Sequence, residues 1–323
     1  MKLRYFSSLF EQLICKLQNK KIFNNGRYIS QKELGHGGFG ITYLVKDKNE
    51  ENKLSVIKTI KILFFLEKKV KQEDINKLID NFKREAQILQ SLHPNKNIVK
   101  FVNIFEQKQK IDGKSELILP HIVMEYVEGK TLTQLLEDNK SPLREENALR
   151  YIKEICGALT IIHKSGILHR DITPNNIMVR ENTNEAVLID FGLARDFIPE
   201  IPQSQTAFTG TEGYAPPEQL ARKATRGSYT DIFGLAATLY YLLTERQPPS
   251  VQFRRENEDT LIEPKKINHN ISDRVNDFIL WGMELESSKR PRKVEDWLAF
   301  LRLTDDEARK IRSGYKRFPH LFG

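Results

Sequence analysis

Two cysteines, Cys15 and Cys156, are all that this chain of 323 residues contains. They are too few for a metal cluster or a disulfide framework, and they point to a reducing cytoplasm. Long apolar runs are missing as well. The longest, about a dozen residues from Ile232 to Leu243, falls short of the roughly 20 that a spanning helix needs and reads as a buried helix. Lys2 and Arg4 are followed by no sustained apolar core and no small-residue cleavage site, which argues against a secretory leader. No internal repeat and no dominant low-complexity tract is present. What the chain does have is positive charge, a net +8. The lysines are spread among glutamates, and no finger, knuckle or aromatic RNA-binding signature accompanies them. A surface that attracts anions is therefore expected, without specific nucleic-acid binding.

Residues 1–24 place Leu3, Phe6, Phe10, Leu13, Ile14 and Leu17 on one helical face, and Asn24-Asn25-Gly26 breaks the pattern. Such a basic amphipathic helix is expected to dock on its own domain or a partner; a membrane surface is the alternative. Strands are expected at 28–34, 41–46 and 54–60, followed by a long charged helix over 68–92 that His93-Pro94-Asn95 stops. Two further strands, 98–107 and 116–126, precede a change of character near 125–130. Helices are expected at 132–139 and 144–165, then a small strand-and-loop region at 167–192, then helices from 217 to 303. A strand-rich part followed by a helical part implies an α+β architecture.

Several residues carry chemistry. Gly35-His36-Gly37-Gly38-Phe39-Gly40 fits G-x-G-x-x-G between two strands, where bare backbone N–H groups can approach phosphates. A plain hairpin turn fits it too, and the strand that follows disfavours a dinucleotide fingerprint. Alternation puts Lys58 on the same inward side as Val56, where a lysine needs an anionic partner; Glu85 is the candidate, and a solvated lysine is the alternative. Asp171 and Asn176 lie five residues apart in HRDITPNN, and Asp190-Phe191-Gly192 follows an apolar run. A carboxylate and an amide from separate loops suit a Mg²⁺ ion that keeps waters and phosphate oxygens.

In order along the chain stand GHGGFG, SVIK, FKREAQIL, MEYVEG, HRDITPNN, DFG, GTEGYAPPE, SYTDIFGLAATLYYLLT and KRP. This series resembles the eukaryotic-like protein kinase family over roughly residues 28–302. GGFGITYL, GTEGYAPPEQ and the segment 259–297 look most like bacterial, particularly cyanobacterial, serine/threonine kinases. The resemblance implies a bilobal fold, a small β-rich lobe over a larger helical one. It implies an amphipathic extension at 1–26, a kinase domain at 27–303 (small lobe 27–124, hinge 125–130, large lobe 131–303) and a basic tail at 304–323.

By the same resemblance, Leu34, Gly35, His36, Gly37, Gly38, Phe39 and Gly40 would cover ATP, with Thr42 and Val56 lining the purine slot. Lys58 would hold the α- and β-phosphates and pair with Glu85. Met124 would be the gatekeeper, and the backbone of Glu125 and Val127 would bond the adenine. Asp171 would orient the acceptor hydroxyl and take its proton, with Thr211 bonded to it. Asn176 and Asp190 would bind Mg²⁺, with Mn²⁺ as an alternative ion. Glu218 would pair with Arg290, Asp231 would anchor the catalytic loop, and Arg170 would receive a phosphate on Thr206 or Thr209. Three positions depart from the family's habit: Val56 for alanine, Thr42 for valine, and Thr173 for the catalytic-loop lysine. The function implied is transfer of the ATP γ-phosphoryl group to serine or threonine of proteins, including the chain itself. A pseudokinase acting as a nucleotide-binding scaffold is the alternative.

Overall fold

Apolar residues that alternate from Tyr28 onward give a six-stranded antiparallel sheet with two distinct faces. The computed structural model describes residues 21–36, 40–67, 70–92, 94–110, 116–190, 212–221, 224–257, 260–304 and 307. Expectations for residues 1–20, 37–39, 191–211 and 308–323 lie outside these. The chain divides into two compact units. In the first, the strands are β1 (Ile22–Phe23), β2 (Tyr28–His36), β3 (Gly40–Asp47), β4 (Lys53–Ile60), β5 (Phe101–Lys110) and β6 (Glu116–Glu125), in spatial order β1-β2-β3-β4-β6-β5. Helices α1 (Ile62–Glu67) and α2 (Gln72–Ser91) separate β4 from β5.

Register decides which side chains share a face. Tyr43, Ile57 and Val123 stand in one cross-strand row and are buried with Phe23, Tyr28 and Val45. One residue on, Thr42, Lys58 and Ile122 form the neighbouring row and must face the other way. The sheet also curls on itself. Gln107 of β5 accepts a hydrogen bond from Asn24 N (2.8 Å) and donates to Ile22 O (3.4 Å), joining strands that sit at opposite ends of the strand order. Edges that meet in this way offer less unpaired backbone to other chains.

The helical pattern read through residue 24 does not hold at residues 22–23, which form β1. Ile22 and Phe23 pair with Ile29 and Tyr28, because the Phe23 ring is drawn into the aromatic core of the sheet. The expected strand from residue 98 begins instead at Phe101. Ile98 is held elsewhere, bridged in parallel to Leu188.

The second unit contains a small sheet of β7 (Gly129–Thr131), β8 (Ile177–Arg180) and β9 (Ala186–Leu188). Asn97 fixes the segment 95–98 to it, donating to Ala186 O (2.7 Å) and accepting from Leu188 N (2.9 Å). Helix α3 (Leu132–Asn139) starts where Thr131 and Gln134 form a capping box. Around α6 (Ser228–Thr244), buried along almost its whole length, pack α4 (Glu145–Lys164), α9 (Asp273–Gly282) and α10 (Val294–Phe300). Trp297 keys α10 in place, stacking on Phe278 at 4.0 Å and donating to its carbonyl. Short helices α5 (Pro217–Leu220), α7 (Val251–Glu256) and α8 (Pro264–Ile267) complete the unit. Among the described residues no helix is long and apolar enough to cross a membrane.

His121 makes a pH test of the first unit. It is buried, stacks on Phe105 at 4.9 Å, and burial lowers its pKa to about 4 from 6.5. The folded state keeps the ring neutral, so below pH 6.5 the unfolded chain binds a proton that the folded chain does not. Stability should be fully present above that pH and fall by up to roughly 3 kcal/mol as pH drops toward 4. Urea unfolding across this range should show a shallower decline for His121→Phe than for wild type.

Candidate active site

In the first unit, the apolar stripe of α2 (Ile75, Leu78, Phe82, Ala86 and Leu89) carries one charged member, Glu85, which is 1% exposed. A carboxylate so placed needs a cation. Lys58 supplies it, its Nζ 2.7 Å from Glu85 Oε1 and 6.0 Å from the Phe82 ring centre. The lysine is thus a fixed charge and not a solvated one. Gly40 is required by packing, since a Cβ there would stand 2.9 Å from Thr59 O on the paired strand. Thr42 lies opposite Lys58, and Val56 lies opposite Leu44 and Met124. Met124 and Val127 are buried and Leu34 is exposed. Glu125 N donates to Lys100 O (2.9 Å), so a bond from its backbone to a base would be one that its carbonyl accepts. Gly35 and His36 end β2; Gly37, Gly38 and Phe39 lie outside the described residues.

In the second unit the organising group is Asp231, fully buried on α6. It accepts from His169 N (2.9 Å), Arg170 N (2.6 Å) and His163 Nε2 (2.7 Å). Burial alone would raise its pKa; the bonds from His163 and the Arg170 backbone outweigh burial and hold it below the usual carboxylate range. These bonds keep Arg170 at φ 65°, a conformation that a non-glycine residue rarely adopts unaided. Gly234 lets α6 come this close, because a Cβ there would meet Ile172 O at 2.9 Å.

The loop so held presents Asp171. Asn176 Nδ2 donates to both Asp171 O and Asp171 Oδ2, each at 2.8 Å, fixing the carboxylate's orientation. Ile189 N donates to Asn176 O (3.0 Å), which brings the segment entering Asp190 alongside. Asp171 and Asn176 are thus bonded to each other, and the backbone leading into Asp190 runs beside Asn176 within the same unit. Thr173 is buried, and its backbone carbonyl accepts from Asn176 N (3.0 Å). Thr211, Phe191 and Gly192 lie outside the described residues.

Reading the sequence missed three supporting groups. His163 bonds Asp231, Gln219 Nε2 donates to Arg170 O (2.7 Å), and Thr230 Oγ1 donates to Glu218 Oε1 (3.0 Å). Their partners are 12 to 68 residues away in sequence, so no local spacing could have marked them.

A model of the protein kinase domain matches residues 28–298. The chain belongs to the protein kinase family. This kinase chain is 32% identical over 282 residues to a probable serine/threonine-protein kinase of Clostridium perfringens, covering 85% of this chain and 38% of that one. It is 30% identical over 276 residues to serine/threonine-protein kinase D of Synechocystis, with coverages of 83% and 50%. Against PrkC of Bacillus subtilis the identity is 31% over 292 residues, with 88% and 41% covered. The chain thus spans half or less of the length of these relatives. Among solved structures, the apo form of PpkA-294 is similar with a TM-score of 0.68 at 22% identity, over 87% of this chain and 97% of that one. The kinase domain of Mycobacterium tuberculosis PknI gives 0.61 at 19%, over 85% and 95%. At such identities the likeness shows the fold, which is the expected α+β protein kinase fold.

The kinase chain's buried ion pair offers a direct stability test. Arg290 grips Glu218 with two bonds, 2.9 and 2.5 Å, and donates to Tyr229 O (2.8 Å), with both side chains buried. Arg290→Ala would strand a buried carboxylate and should cost about 3–5 kcal/mol in urea unfolding. Thr230→Val removes one neutral donor to the same carboxylate and should cost about 1–2 kcal/mol.

Proposed function

We propose that this chain is a serine/threonine protein kinase, transferring the γ-phosphoryl group of ATP to hydroxyls of protein substrates and of itself. The observation that carries the reading is the locked pair of Asp171 and Asn176, with Asp190 delivered beside it by the Ile189 bond. The donor set fits a divalent ion. Asn176 spends its amide N–H groups on Asp171, which leaves Oδ1 as a donor oxygen, and Asp190 contributes a carboxylate. One amide and one carboxylate suit a hard ion that retains water and phosphate oxygens, so Mg²⁺ is the proposed ion and Mn²⁺ the alternative. When bound, such an ion neutralises negative charge on the phosphates.

The chain's own residues do the remaining work. Lys58, oriented by Glu85, offers a positive charge to the phosphates in the role that the family assigns to it. Asp171 accepts the proton of the incoming hydroxyl, its carboxylate aimed by Asn176. Leu34, Val56, Met124 and Val127 give the base apolar surroundings, and the Glu125 carbonyl accepts from it. This is catalysis by positioning and charge, with little covalent chemistry asked of the protein. Thr211 is proposed to bond Asp171, in keeping with serine/threonine specificity. The names of the relatives support the same specificity.

Thr173 removes one charge near the γ-phosphate. A charge-assisted contact of that kind is worth about 1.5–3 kcal/mol, roughly 10- to 150-fold in rate if nothing compensates. Lys58 still offers its charge to the phosphates, and an ion held by Asn176 and Asp190 would supplement it, so turnover should survive. Transfer from γ-labelled ATP to the protein itself and to a general acceptor protein should be measurable for wild type and nearly abolished in Asp171→Asn. Thr173→Lys should be tolerated or modestly faster. Nucleotide binding by wild type with transfer no greater than that of Asp171→Asn would sink the reading in favour of a nucleotide-binding scaffold.

A further inference from the structure

The face of the first sheet opposite Lys58 contains a cavity of about 470 Å³, within the size range of small-molecule sites. Its floor follows from register. Ile41, Thr59 and His121 are cross-strand neighbours on β3, β4 and β6, and Phe105 stacks on His121. Thr59 follows Lys58 along β4 and faces the other way, so this cavity is separate from the groups assigned to nucleotide.

Two observations point to a ligand. The first is polar demand at depth. Thr59 is 7% exposed, and among the described residues its hydroxyl has no hydrogen-bond partner, which is costly for a buried group. His121 Nδ1 lies 3.0 Å from Leu119 O and must donate to it, so the neutral ring has Nε2 as an acceptor. Burial keeps that ring neutral at physiological pH. The second observation is charge at the mouth. Lys21, Lys61 and Lys108 line the cavity, whose lining includes one carboxylate, Glu67; Lys108 also reaches Glu116, outside the lining, at 3.6 Å across an exposed pair. Lys21 is held there by a hydrogen bond to the Tyr43 hydroxyl, its ammonium 4.5 Å from the ring centre.

We propose that this cavity binds an amphipathic organic anion, its apolar body on the floor of Ile41, Phe23 and Tyr43 and its acidic group among the three lysines. The hydroxyl of Thr59 bonds a polar atom of the ligand at depth. The chain's own residues 1–20 are a poorer occupant, since they carry Lys2, Arg4, Lys16 and Lys20 against Glu11 and would bring like charge to a basic mouth.

The test uses the full chain with saturating ADP, which blocks the proposed nucleotide site, and titrates anilinonaphthalene sulfonate, whose fluorescence rises in an apolar pocket. Saturable binding at one site is expected. Lys108→Glu, at a largely exposed position, should weaken it roughly threefold or more, and added salt should narrow that difference. Thr59→Val should weaken it roughly fivefold or more without lowering the thermal unfolding midpoint, because it deletes an unpartnered buried hydroxyl. Absence of saturable binding, or equal affinity in wild type and Lys108→Glu at low salt, overturns the proposal. So does saturable binding that emerges only when Phe6, Phe10 and Leu13 are replaced by Ala, since the occupant would then be the chain's own N-terminal stretch.

Discussion

One carboxylate shielded from water, that of Asp231, sets the geometry on which the proposed chemistry rests. An isolated charge in such a place would be expelled or protonated. Here two backbone N–H groups and an imidazole repay its desolvation, and two of those three donors belong to the loop that carries Asp171. Arg170 tolerates a left-handed backbone because Asp231 holds its N–H and Gln219 holds its carbonyl. Strain at one residue is thereby converted into a fixed direction for the next. Asn176 then aims the Asp171 carboxylate, so the chain of causes runs from a buried helix to a reactive oxygen.

The first unit applies the same rule to its own charge. Glu85 is buried on the apolar face of α2, and Lys58 extends from the inner face of β4 to meet it. Neither would be stable in that position without the other, since breaking a buried pair costs about 3–5 kcal/mol. Arg290 and Glu218 repeat the arrangement beside α6. Buried pairs of this kind contribute little net stability compared with an apolar core. Their value lies in fixing where a charge points.

Features with a local cause were legible in the sequence. The Lys58–Glu85 partnership could be read because strand alternation turns Lys58 inward, where a lysine needs an anionic partner, and Glu85 in the following helix is a candidate. Helix α3 matches its expected span of 132–139, and the structure shows its ends set by a capping box at Thr131 and a left-handed Lys140. The strands β2 to β4 followed from alternation in the same way. What was not legible depends on contacts between distant residues. β1 is two residues long, and Phe23 becomes a strand residue only because Tyr28, Tyr43 and His121 surround its ring. Gln107 pins β1 through Ile22 O, 85 residues away. Helix α1, in an apolar run, has no period that separates helix from strand. His163 looked like an ordinary residue in the last turn of α4, and its role exists only because α6 packs beside it.

The central claim is that Asp231 acts by placing the loop, with no contact to nucleotide required. Asp231→Asn tests it most directly, because the amide keeps the size of the side chain while turning donors toward the N–H groups it should accept from. Phosphoryl transfer and ADP affinity should be measured on the same folded preparation, checked by circular dichroism. The account predicts transfer reduced by about a hundredfold or more, as expected for a displaced reactive group, with ADP affinity within about twofold of wild type, since an unchanged nucleotide site shifts binding by well under 1.4 kcal/mol. A folded Asp231→Asn protein that turns over within a few-fold of wild type would contradict it.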